Sequence, residues 1–134
     1  MGGFLSSFDI SASALSAQRM RVNVISSNIA NAQTTHDVNG EVYRRREVVF
    51  KPIELQDNLF GVTISKIRYD NAKAKMKFEP NNPDANKNGY VAYPNINPVV
   101  EMSDLLEATR SYQANVAAFQ NTKEMANASI SLLE

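Results

Sequence analysis

The chain has 134 residues, with 14 basic and 14 acidic side chains, no cysteine and a single histidine. Balanced charge lacks the basic excess that phosphate-backbone binding requires. Without cysteine there are no disulfides, iron–sulfur clusters or thiol catalysis, and His36 alone cannot furnish a zinc site.

Residues 4–32 contain no proline or glycine and predict one helix of about 40 Å. Alternating steps of four and three select Phe4, Phe8, Ser11, Leu15, Gln18, Val22, Ile25, Ile29 and Ala32. Most of these are apolar, which is the narrow seam of a coiled coil. Ser11 and Gln18 weaken its first half. No segment reaches the roughly 18–20 apolar residues of a bilayer span, so no direct membrane insertion is expected. Asp9, Ser11 and Ser13 break up the N-terminal stretch, so no cleavable secretory signal is expected either.

The character changes between 40 and 97. Glu41–Phe50 and Gly61–Tyr69 are rich in β-branched and aromatic residues and predict strands, with Ala74–Phe78 and Tyr90–Tyr93 as shorter ones. Asn81-Asn82-Pro83-Asp84 and Asn86-Lys87-Asn88-Gly89 supply turn chemistry. Arg44, Arg45 and Arg46, the densest basic run, read as the solvated face of a sheet.

A second helix is predicted over residues 99–133, about 50 Å long, with Pro98 before it and Ser103 and Asp104 as acceptors near its first turn. Its seam reads Met102, Leu105, Thr109, Tyr112, Val116, Phe119, Lys123, Ala126, Ile130 and Leu133. The chain thus divides into an N-terminal helix (1–35), a small β and loop region (36–97) and a C-terminal helix (98–134). The expected fold is mainly α with a short hairpin-like β insertion, the two helices pairing as an antiparallel coiled coil. Such a layout buries little apolar surface per ordered residue, while ordering costs about 1–2 kcal/mol per residue. Full order is therefore expected only when neighbouring subunits cover the helices.

Enzymatic chemistry finds no footing. Asp84-Ala85-Asn86-Lys87-Asn88-Gly89 matches the opening of a calcium loop, but the twelfth position is Asn95 rather than a bidentate glutamate, so it reads as a plain glycine turn. Asp9, Glu54, Asp57, Glu79, Glu101, Asp104 and Glu107 are scattered singly and read as solvated acids rather than a general acid–base pair. His36 falls in a polar loop. There is no phosphate-binding glycine loop, and no cofactor is expected.

Two motifs are more specific. Ser26-Ser27-Asn28-Ile29-Ala30-Asn31-Ala32-Gln33-Thr34 closes the first helix, with Asn28 and Asn31 offering amides three residues apart that can bond backbone or stop the helix. It resembles the S-x-N-[IL]-A-N-x-x-T signature of the flagellar axial family of rod, hook and junction proteins. Val38-Asn39-Gly40-Glu41-Val42-Tyr43 stands where that family places a glycine and an aromatic, with a short insertion. Arg110, Tyr112, Ala114 and Asn115 resemble the R-x-Y-x-A-N core of the family's C-terminal helix. Glu79–Val91 and Tyr93–Asn97 are similar to the P-x-N-P-x-A-x-x-x-G-Y-V-x-x-P-N-V stretch of proximal rod proteins of the FlgC type.

This resemblance implies a structural subunit, not an enzyme, that assembles as a helical tube in the proximal rod of the bacterial flagellar basal body, transmits motor torque and lines part of the export channel. It implies as partners further copies of the chain, other proximal and distal rod proteins, an adaptor at the export gate and membrane ring, and the type III export apparatus, with no nucleic acid. The location implied is the periplasmic rod, reached without a cleaved signal. The assembly residues expected are Leu15, Val22, Ile25, Asn28, Ile29 and Asn31 in the first helix, and Leu105, Tyr112, Asn115, Val116, Phe119 and Ile130 in the second. Another proximal rod component, of the FlgB type, is the alternative; Gly89-Tyr90-Val91 and Pro94-Asn95 argue against it. A stand-alone coiled-coil adaptor explains the seams but has no need of the Asn28 and Asn31 motif.

Overall fold

The computed structural model describes residues 2–134; Met1, at the head of the expected 1–35 helical segment, lies outside them. Helix α1 spans Gly2–Ala30. Asn31 stops it: its side-chain Nδ2 donates to the Ser27 carbonyl at 2.8 Å, while its own carbonyl accepts from Thr34 N at 3.0 Å. The Ser27 carbonyl also accepts from Asn31 N at 3.0 Å, so the side-chain amide adds a second bond there and competes with continuation of the helix.

Strands β1 (Arg46–Gln56) and β2 (Leu59–Tyr69) pair antiparallel and are joined by Asp57 and Asn58, the latter at φ 61°. Asparagine is among the few residues that tolerate that left-handed backbone. The first strand begins at Arg46, not Glu41 as expected. Asp37 consumes the intervening backbone: its N donates to the Glu41 carbonyl at 2.7 Å and its Oδ1 accepts from Asn39 N and Glu41 N. The strand also runs on past Pro52, which lies opposite Val62; there the Val62 N–H turns away from the ladder and donates to Ser13 Oγ at 3.1 Å. A position with no ladder bond tolerates proline.

Strands β3 (Lys75–Phe78) and β4 (Tyr90–Tyr93) form a second, separate two-stranded antiparallel sheet. The connection closes on Gly89 at φ 84°, where an added Cβ would come within 2.9 Å of the Phe78 ring. Only glycine fits both the dihedral and the space. Helix α2 spans Pro98–Leu133. Its cap is Asn97, whose side chain accepts from Val99 N at 3.0 Å, rather than the Ser103 and Asp104 expected from the sequence. Pro98 occupies the first helical position, where its missing N–H costs nothing.

The two helices pack along their length, and the β1–β2 hairpin lies against α1. Phe8 meets Phe119 with ring centroids 4.9 Å apart, Arg21 approaches Glu107 at 3.8 Å, and Asn28 reaches Glu101 at 3.2 Å. Position rises along α1 as it falls along α2. All nine seam positions expected in α1 are at least partly covered. In α2 Leu105, Thr109, Tyr112, Val116, Phe119 and Ala126 are covered as expected, joined by Glu101, Ala108, Asn115, Thr122 and Ser129, while Met102, Lys123, Ile130 and Leu133 are exposed. The contact row follows the geometry of close approach, which small residues such as Ala108 permit, and not the apolar count.

Apart from Gly61, which packs on Ser13, full burial lies toward one end. Ala17, Val24, Ile25, Asn28 and Ala32 on α1 meet Val91 and Ile96 of the β3–β4 region and Glu101 and Ala108 of α2. Among the described residues, no position of α1 before Ala17 and none of α2 after Ala108 is fully buried. The opposite end presents Leu5, Met125, Leu132 and Leu133 to the outside, the last two at 88% and 83% exposure.

Candidate functional site

The densest chemistry in the chain surrounds Asn28, which is wholly buried. Its Oδ1 accepts from Arg46 N at 3.0 Å and from Tyr43 Oη at 3.0 Å, while its Nδ2 donates to the Arg46 carbonyl at 2.8 Å and to Glu101 Oε2 at 3.2 Å. The amide therefore pairs with Arg46 as a neighbouring strand would, through one donor and one acceptor. The helix that carries the asparagine motif becomes the template for the first residue of β1. Around it, Arg46 Nη2 donates to Ser27 Oγ at 2.6 Å and Arg46 Nε to Tyr43 Oη at 3.2 Å.

Glu101 is the other buried polar residue among those described, 1% exposed. Arg45 Nε donates to its Oε1, and the same guanidinium pairs with Glu47 and stands 3.8 Å from Asp104. Glu47 in turn accepts from Arg68 across the hairpin. Burial works against the charged Arg45, but the hydrogen bonds and charges of Glu101 and Glu47 outweigh it and raise its pKa. Hydrogen bonds from Arg68 and then Arg45 hold the Glu47 carboxyl below its usual range. The result ties α1, β1, β2 and the first turn of α2 into one polar knot. A buried charge with such partners is satisfied rather than reactive.

Two expectations change here. The arginine run is not a solvated face: only Arg44 is exposed, while Arg45 and Arg46 are drawn inward to Glu101 and Ser27. Glu101 is likewise no solvated acid. Strand alternation alone cannot separate these cases, because the partner that draws Arg45 inward is 56 residues away. Glu101 in the first turn of a helix that follows a proline was the one local sign, since an acid there complements the helix dipole.

The expected assembly residues fall into distinct settings. Ile25 is buried; Leu15, Val22, Ile29, Leu105, Tyr112, Asn115, Val116 and Phe119 are partly covered along the helix pair; Ile130 is 46% exposed. Asn31 is partly covered in its local cap, and Thr34 Oγ1 donates to its Oδ1 at 3.2 Å.

The glycine turn has its own bonding. Asn86 Oδ1 accepts from Asn88 N and Tyr90 N, and Asp84 Oδ2 accepts from Thr35 Oγ1 at 2.6 Å and contacts His36 Nδ1 at 3.2 Å. Two of the oxygens that a calcium loop would aim at an ion, Asp84 Oδ2 and Asn86 Oδ1, are thus turned to the Thr35–His36 loop and to backbone. Asp84 is held below its ordinary pKa chiefly by Thr35 and then by His36. Glu79 is held down to about 2 by hydrogen bonds from Lys77, Asn82 and Tyr93. No group of three or more metal-ligating side chains occurs among the described residues, and none of the described helices is long and apolar enough to cross a membrane.

Comparison with known proteins matches two family models, "Flagella basal body rod protein" over residues 8–35 and "Flagellar basal body rod FlgEFG protein C-terminal" over residues 87–132. Three curated relatives are each named "Flagellar basal-body rod protein FlgC". That of Bacillus subtilis is 42% identical over 89% of this chain and 91% of its own length. That of Borreliella burgdorferi is 35% identical over 98% and 99%, and that of Salmonella typhimurium 41% identical over 90% and 91%.

Proposed function

The chain belongs to the FlgC family of flagellar basal-body rod proteins, and from that premise we propose how this fold serves as a structural proximal-rod subunit, assembling into a tube that transmits motor torque and encloses part of the export path. It is a structural protein of the basal body, not an enzyme. Its partners are further copies of itself and other rod proteins; the export apparatus and the adaptor at the membrane ring are proposed as the neighbours it meets on the way in and at the base.

In this reading α1 and α2 form an antiparallel coiled coil, supported by the reversed order of the Phe8–Phe119, Arg21–Glu107 and Asn28–Glu101 contacts. The helical segments 1–35 and 98–134 make the tube wall and 36–97 stands on it as the β region. Leu15, Val22, Ile25, Ile29, Leu105, Tyr112, Val116 and Phe119 hold the helix pair, Asn28, Asn31 and Asn115 set its shape, and Ile130 meets a neighbouring subunit.

The observation that carries the proposal is the uneven burial. One end of the helix pair has a closed core, while the other leaves Leu132 and Leu133 almost fully exposed. Exposed large apolar side chains in a cluster mark a surface that a partner covers. In a flagellated bacterium lacking its own copy, the wild-type chain is expected to restore swimming and to be recovered in isolated basal bodies. A chain carrying Leu132→Asp and Leu133→Asp should remain folded by circular dichroism but drop out of the basal-body fraction. Full swimming without the chain, or normal incorporation of the double variant, would count against the reading.

A further inference from the structure

The β1–β2 hairpin is a sheet of two strands, so each strand turns one edge of backbone N–H and C=O groups away from its partner. Such an edge is a template on which a strand of another chain can add. In an antiparallel pair every second residue faces outward in this way. Arg46 and Val62 mark which residues these are, because their N–H groups donate to Asn28 and Ser13 of α1 rather than across the ladder. The pairing register then assigns Val48, Phe50, Pro52 and Glu54 to the outer edge of β1 after Arg46. On β2 the outer edge holds Phe60, Val62, Ile64, Ile67 and Tyr69.

Each edge is interrupted at short intervals, and by different means. On β1, Asn28 takes both the N–H and the C=O of Arg46, and Pro52 has no N–H to offer. The register shift between Glu54 and Gln56 then bends the strand before its turn. On β2, Ser13 Oγ takes the Val62 N–H at 3.1 Å, and the shift opposite Val49 and Phe50 leaves Ser65 outside the ladder. Gly61 lets the helix come this close, since a Cβ there would stand 2.6 Å from Ser13 Oγ. Asn28 and Ser13 lie fifteen residues apart on α1, about 22 Å by helical rise. Tyr69 back to Val62 spans about 23 Å of β2. The two lengths agree, so one helix serves opposite edges of a ribbon that twists as it passes along. Among the described residues no more than two consecutive outward positions stay unblocked, Val48 with Phe50 and Ile67 with Tyr69. The second pair is flanked by the exposed Lys66 and Arg68, whose charge repels a like strand.

We propose that α1, Pro52 and the two bulges together close the hairpin to strand addition, so that two copies of this chain do not pair edge to edge through it. The inference goes beyond the rod-subunit reading and holds for the chain free in solution. An added strand gains backbone bonds only at outward positions, and two positions between obstacles return too little to offset its ordering. The obstacles are not equal. An N–H restored at position 52 would join Val48, Phe50, position 52 and Glu54 into one run of four. Loss of the Ser13 hydroxyl would join only Phe60, Val62 and Ile64, because Ser65 interrupts the ladder next.

The test uses the purified full-length chain. Pro52→Thr changes an exposed residue and is expected to fold as the parent does by circular dichroism. Sedimentation velocity should show it self-associating at a concentration at least about tenfold below that of any association of the parent. The new N–H at position 52 should exchange freely in dilute solution and become protected as the chain associates. Ser13→Ala should fall between the parent and Pro52→Thr. Thr63→Val raises strand propensity at a residue whose N–H already faces β1, and should behave as the parent. The proposal is overturned if folded Pro52→Thr associates no more readily than the parent, if it associates while position 52 stays open to exchange, or if Thr63→Val associates as strongly. Should Pro52→Thr fail to fold, the Ser13→Ala comparison decides: association no greater than the parent's overturns the proposal.

Discussion

Asn28→Ala removes a side chain that makes four hydrogen bonds from a fully buried position. Not all four losses cost the same. Tyr43 Oη keeps Ser27 Oγ as a partner and Glu101 keeps Arg45, so these two groups remain satisfied. The N–H and C=O of Arg46 have no such substitute. Leaving a buried backbone group unpaired costs about 1–3 kcal/mol, and partial exposure of Arg46 lets water recover some of it. The expected loss is about 3 kcal/mol. For a chain of this size, with a urea dependence of about 2 kcal/mol per molar, that lowers the unfolding midpoint by about 1.5 M, read by circular dichroism at 222 nm. Asn31→Ala should lose only about 1 kcal/mol, since its amide caps one helix end and bonds one threonine. Asn28→Asp separates geometry from chemistry. It keeps the acceptor for Arg46 N but sets a second carboxylate oxygen against Glu101 and the Arg46 carbonyl, so at neutral pH it should be worse than alanine. A midpoint shift below about 0.3 M for Asn28→Ala, or an aspartate variant as stable as the parent, would refute the idea that this amide stands in for a strand.

Three further outcomes follow from the same geometry. Removing Glu101 alone (Glu101→Leu) or Arg45 alone (Arg45→Met) leaves a charge without its main partner and should cost about 3–5 kcal/mol, whereas the two changes together should cost less than either, as chemical denaturation of all three variants will measure. The Glu79 carboxyl should titrate near 2 in a carbon-detected NMR experiment. Its folded value lies below the ordinary one, so its contribution is complete above the normal carboxylate range and fades as pH falls from about 4.5 toward 2; the Glu79 N–H bond to the Gly89 carbonyl, 2.9 Å long, should exchange faster over that window. An ordinary midpoint would show that Lys77, Asn82 and Tyr93 do not hold it in solution. Gly89→Ala forces a left-handed alanine against Phe78 and Pro80 and should destabilise the chain by about 1–2 kcal/mol in thermal unfolding, with no effect expected from Gly3→Ala, where nothing lies within 4 Å.

The long helices, the strand positions of Gly61–Tyr69 and Tyr90–Tyr93, and the helix-ending role of Asn31 were all legible in local pattern, because each depends on propensity or period over a few residues. Leu59 and Phe60 extend the second strand at its turn end. What local pattern could not provide was the lateral position of the α2 seam. Counting apolar residues favours Met102 and Ile130 alongside Val116, but the helices approach through Ala108 and the buried Glu101, which keeps Val116 partly covered and leaves Met102 and Ile130 outside. The Arg45–Glu101 pair was hidden for a related reason: it joins two segments whose proximity exists only once α1 and α2 have packed. The asparagine motif was visible by resemblance. Its role as a template for β1 needed the Arg46 backbone in place.

The polar knot is costly material for a core, since apolar residues of similar volume can do as well or better for stability alone. Its value lies in uniqueness. Asn28 matches one donor and one acceptor of a single residue, Arg46, so sliding β1 along α1 by one position would break both bonds and turn the hairpin's faces over. Arg45 then ties that same register to the first turn of α2 through Glu101. The hairpin tip, about 35 Å from this anchor by strand rise over β1, is thereby given a fixed position relative to both helices. In a monomer such precision has little use. In a tube of many subunits every angular error at the anchor is carried outward and multiplied by each successive contact, so a subunit that must build a stiff tube gains from a core that specifies one geometry even where a greasier core would be more stable.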